Sequence, residues 1–133
     1  MQKKVTIRGE EFTLRDSGIT LETWLAGVNH ENHSDAVKEL TRKGDVLQLI
    51  PEEDNKYDRF ALMVVAKGAH IGYVPDNNFT VQGKERIFKG LYAGEPWVAY
   101  VKEKRKPSDE FPFYNVFVEI KQYEEKKKRS WLW

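Results

Sequence analysis

No cysteine occurs in the 133 residues. Disulfide staples, thiolate zinc centres and thiol catalysis are therefore excluded, and a reducing interior is compatible with the chain. Long apolar runs are absent too: nothing approaches the roughly 18 apolar residues of a membrane span. The opening MQKKVTIRGE has charges with no apolar core of signal-peptide length behind them, so the expected location is cytoplasmic. Charge of one sign is also scarce. A formal net of +1 argues against a wholly electrostatic nucleic-acid binder.

Several chemical signatures fail as well. No GxxxxGK[ST] is present to cradle phosphates, and no serine lies in a GxSxG-like turn. Glu52, Glu53, Asp54 and Asp58 invite a calcium loop. Counting from Asp54, however, puts Arg59 and Val65 where glycine and glutamate belong. His30 and His33, with Glu31, make a conceivable metal pair; the simpler reading is a solvated loop with incidental histidines, since structural zinc normally takes four ligands. The expectation is a protein that is not an enzyme, with no catalytic residue, metal or cofactor.

What is present suits one soluble globule: 40% hydrophobic and 32% charged residues, at a length that buries one core but not two. Charge is unevenly placed. Residues 21–60 carry nine acidic and five basic side chains, whereas 99–133 carry nine basic and six acidic ones. The expected organisation is one domain over 1–123 with a charged tail over 124–133.

Alternation of apolar residues predicts a hairpin over Lys4–Leu14, a second β stretch over Leu21–Val28, a strand over Asp45–Ile50 stopped by Pro51, a hairpin over 60–74, and strands over Trp97–Lys104 and Phe113–Tyr123. The run from Phe60 to Ala66 suits a strand buried on both faces. A short helix capped by Ser34 or Asp35 is expected before Gly44, and another within Asn77–Leu91, where Phe79, Ile87, Phe88 and Leu91 share a face despite Gly83. The fold class is mainly β, a small barrel of about six or seven strands with one or two short helices.

The tract PEEDNKYDRFALMV over 51–64, with Gly27-Val28, Gly44-Asp45 and IGYVP over 71–75, resembles the HIRAN family. That family's hallmark runs as glycine-aspartate, a strand, E-P-x-N-x-Y-D, a strand with an early alanine, and a G-Y-L-P turn. Order and spacing match from about Trp24 to Pro75. Two departures stand out: Pro51 precedes Glu52, and the turn after Val28 reads Asn29-His30-Glu31-Asn32-His33.

The resemblance implies an OB-like barrel and a non-catalytic reader of single-stranded DNA or DNA 3′ ends in repair, replication or processing, alongside a partner such as a helicase or nuclease. Carried over by motif, Asn55, Tyr57 and Asp58 lead the candidate site, joined by Gly72, Tyr73 and the turn residues Asn29 and His30. Asp58 can accept a hydrogen bond from a free sugar hydroxyl, while Tyr57 and Tyr73 offer faces for base stacking. Lys102, Lys104 and Arg105, with Lys106, can track a phosphate backbone, as can the Lys126–Arg129 run with Trp131 and Trp133. Structural alternatives are equally concrete: Asn55 and Asp58 are common turn formers, Tyr57 can plug a barrel end, and Tyr73, between Gly72 and Val74 on a strand, can be core or rim. A protein-interaction module on the same barrel is the second function class.

Overall fold

The computed structural model describes residues 2–7, 10–30, 32–75 and 81–125, with side chains over 20–30, 32–75 and 83–123. Among them the order is β1 (Gln2–Ile7), β2 (Glu10–Trp24), α1 (His33–Leu40), β3 (Val46–Pro51), β4 (Leu62–Ala66), β5 (Ala69–Tyr73), α2 (Val81–Tyr92), β6 (Trp97–Arg105) and β7 (Asn115–Glu125). The strands form one sheet in the order β1-β2-β7-β6-β3-β4-β5, antiparallel throughout. This is the mainly β architecture with two short helices that the alternation predicts.

Six of the strands, β2 through β5 in sheet order, curl into a half-barrel. Its two ends meet at one point. Tyr73 at the end of β5 and Ala26 just past β2 exchange backbone hydrogen bonds of 2.8 and 2.9 Å. Gly72 permits that approach, because a Cβ there would lie 2.9 Å from the Ala26 carbonyl oxygen. β1 stands outside the ring, paired to β2.

Period-two alternation explains which faces are buried. Leu47 and Leu49 on β3 and Val116, Val118 and Ile120 on β7 point into the core, together with Ala99 and Val101 on β6. β4 buries Leu62, Val64, Val65 and Ala66, as its nearly continuous apolar sequence requires. No described helix is long and apolar enough to cross a membrane.

Two elements differ from the expectation. Residues 10–24 form one strand rather than a hairpin arm and a separate stretch, because Leu14–Asp16 and Thr20–Trp24 both pair with β7, an irregularity between Asp16 and Thr20 absorbing the phase change. Helix α1 starts at His33 after Asn32, with no side-chain cap. Ser34 Oγ instead accepts a hydrogen bond from Tyr114 N at 2.9 Å. Helix α2 tolerates Gly83 because it docks close to β2: a Cβ at Gly83 would meet Leu21 Cδ2 at 3.3 Å. Phe79 lies outside the described residues; Ile87, Phe88 and Leu91 pack on the core.

Candidate nucleic-acid groove

The loop between β3 and β4 is built by side chains bonding its own backbone. Asn55 Oδ1 accepts from the amides of Tyr57 and Asp58, both at 2.9 Å, and Asp58 Oδ1 accepts from Phe60 N at 2.9 Å. Such Asx turns substitute for the ladder bonds a loop lacks. The Asn55 Nδ2 donates to Glu52 Oε1 at 2.7 Å. With the loop held this way, Tyr57 projects outward and is 97% exposed. Folding gains nothing from a large aromatic ring left in water.

Helix α2 reaches the same loop from beneath. Lys84 Nζ pairs with Asp58 Oδ2, the lysine side chain 3% exposed and the aspartate 29%. Both oxygens of Asp58 thus have protein partners, and the carboxylate still meets solvent.

Three rings pack edge to face or tilted along one wall. His33 and His70 have centroids 4.5 Å apart, and His70 and Tyr73 4.6 Å. His33 Nδ1 lies 2.8 Å from the Gly27 carbonyl and His70 Nε2 2.8 Å from the Gly72 carbonyl. A carbonyl only accepts, so each of those nitrogens carries a proton. The Tyr73 hydroxyl donates to Glu52 Oε1 at 3.0 Å, tying the wall to the loop. Between wall and loop runs a groove of about 460 Å³ lined by His30, His33, Asn55, Tyr57, Asp58, His70 and Tyr73, with Ala26, Ala61, Val74 and Pro75. All three histidines of the chain line it. Among the described residues no cluster of three or more histidines and carboxylates is arranged to hold a metal.

Comparison with known proteins turns on the backbone. No family model matches the sequence, and no curated protein does. Among solved structures, the HIRAN domain of human HLTF superposes with a TM-score of 0.58 at 11% identity, over 80% of this chain and 77% of that one. The fold is that of a HIRAN domain. A protein from Lactobacillus plantarum, solved by structural genomics, superposes with a TM-score of 0.57 at 16% identity, over 80% of this chain and 95% of its own.

On this HIRAN-type barrel the motif residues Asn55, Tyr57, Asp58 and Tyr73 converge with His30. Gly72 serves the ring closure through its lack of a side chain. Asn29 is exposed and does not line the groove. The β6 cations are elsewhere and engaged. Lys102 pairs with Glu119 at 3.5 Å and Glu22 at 3.8 Å. Lys104 Nζ donates to the carbonyls of Lys38 and Thr41, both at 2.7 Å, closing the end of α1. The Arg105 guanidinium is sandwiched by Trp24 and Phe111 at 4.5 and 4.4 Å. Glu31 and the Lys126–Trp133 tail lie outside the described residues.

Sequence reasoning missed His70, Glu52 and Lys84 as parts of the site and considered His33 only as a metal ligand. Lys84 had no local signal, since a lysine on a short helix reads as solvated. For Glu52 the signal was its place at the head of the E-x-x-N-x-Y-D tract.

Proposed function

We propose that the groove binds the 3′ end of single-stranded nucleic acid, DNA foremost, as a non-catalytic module serving DNA repair, replication or processing inside the cell. The observation that carries this reading is Tyr57, 97% exposed at the rim and next in sequence to Asp58. A base stacking on that ring recovers the contact the fold does not provide, at roughly 1–3 kcal/mol. A terminal hydroxyl donates to the solvent-facing side of the Asp58 carboxylate. A terminal phosphate there sets anion against anion.

Lys84 holds the carboxylate in place. The HIRAN fold supports the same class of function. The test is titration with a labelled single-stranded oligonucleotide at rising salt. Binding at low salt that weakens as salt rises is the expected result; no binding at low salt removes this function and leaves a protein partner as the ligand of the barrel.

A further inference from the structure

Glu52 bonds both sides of the groove. Its Oε1 accepts from Asn55 Nδ2 at 2.7 Å on the loop and from the Tyr73 hydroxyl at 3.0 Å on the wall, with Oε2 3.2 Å from the same hydroxyl. Its own amide donates to the Ala61 carbonyl at 2.9 Å, so the backbone beneath the carboxylate is anchored where the loop begins and ends.

An asparagine amide has an accepting end and a donating end, and a turn of the Asx type needs the accepting end. At Asn55 the amides of Tyr57 and Asp58 take Oδ1, and Glu52 fixes that orientation from the other end: a carboxylate accepts only, so it takes the NH₂. Remove the carboxylate and the Asn55 side chain loses the anchor on its donating end. The bonds that fix the backbone of Tyr57 and Asp58 are then weakened.

We infer that Glu52 is the positioning residue of the groove, setting Tyr57 and Asp58 for a strand end without touching it. The ligand side of this inference rests on the reading of the groove as a reader of 3′ ends. Geometry and charge pull in different directions here. As an anion at the groove, Glu52 opposes phosphate, so removing it strengthens general attraction for nucleic acid while the loop loses its alignment. Glutamine separates the two effects. Its carbonyl oxygen can occupy the Oε1 position and accept from both Asn55 and Tyr73, with no charge.

The experiment compares wild type, Glu52→Ala and Glu52→Gln in two measurements. One is hydrogen exchange of the Tyr57 and Asp58 amides by NMR, with Val64 and Val118 as barrel controls. The other is the affinity ratio for oligonucleotides ending in a 3′-hydroxyl or a 3′-phosphate. Glu52→Ala should speed exchange at Tyr57 and Asp58 alone and abolish the end preference without weakening overall binding. Glu52→Gln should restore slow exchange and the preference. Unchanged exchange in Glu52→Ala, or a preference that survives faster exchange, overturns the inference. Equal binding of both ends by the wild type is a different failure: it overturns the end-reading function itself.

Discussion

Lys84 and Asp58 form an ion pair of unequal burial, the lysine side chain 3% exposed and the aspartate side chain 29%. Loss of one partner is therefore not equivalent to loss of the other. Asp58→Ala removes the carboxylate from beside a buried lysine and should destabilise the fold by about 3 kcal/mol, near the low end for broken buried pairs because the site borders solvent. Lys84→Met leaves a carboxylate that water can reach, and should cost about 1 kcal/mol. Urea denaturation of the two variants checks the order. Equal losses would refute the asymmetry. For binding work Asp58→Asn removes the charge and keeps one accepting oxygen, which can serve Lys84 or Phe60 N but not both.

Gly72→Ala tests the closure of the half-barrel. The added Cβ would lie 2.9 Å from the Ala26 carbonyl oxygen and 3.3 Å from Leu25 Cβ, so the Ala26–Tyr73 bridge has to open or shift. A loss of about 1–3 kcal/mol is expected, read as a lower denaturation midpoint. Faster amide exchange at Ala26 and Tyr73 should accompany it. A variant as stable as wild type would mean that the bridge is dispensable.

Tyr92 supplies a pH marker for the loop. Its hydroxyl donates to the Glu53 carboxylate, and that bond, with smaller contributions from burial and from the charges of Glu53 and Asp54, pushes its pKa up from 10.0 to about 12. A phenol whose folded pKa is raised adds stability that is complete below its unfolded value of 10.0 and lost as pH rises through about 12. NMR titration of the Tyr92 ring carbon should show the late ionisation, and Glu53→Gln should return it toward 10.0. A Tyr92 titration that Glu53→Gln leaves in place would contradict the assigned cause.

The sheet was readable in the sequence because its strands alternate: Leu47 and Leu49, or Val116, Val118 and Ile120, declare their faces without reference to anything distant. The union of residues 10–24 into one strand was not, since it depends on pairing with β7 more than a hundred residues away in the chain for Leu14–Asp16. In the groove, Asn55, Tyr57 and Asp58 stand in one tract and could be found together. Lys84 and His70 arrive from α2 and β5, and only tertiary structure brings them there. The basic residues of β6 illustrate the converse. Lys104 and Arg105 look like a phosphate track in sequence, yet one closes a helix end and the other fills an aromatic sandwich.

The most direct test of the groove's function uses two single-stranded oligonucleotides identical except for a 3′-hydroxyl or a 3′-phosphate, titrated against wild type and Tyr57→Ala by fluorescence anisotropy. Wild type should favour the hydroxyl end by about tenfold, the value of one hydrogen bond to a charged group. Tyr57→Ala should weaken both ligands by roughly fivefold or more through lost stacking, with an unchanged denaturation midpoint because the ring is 97% exposed. Equal affinity of wild type for the two ends, with Tyr57→Ala binding as wild type does, would contradict it.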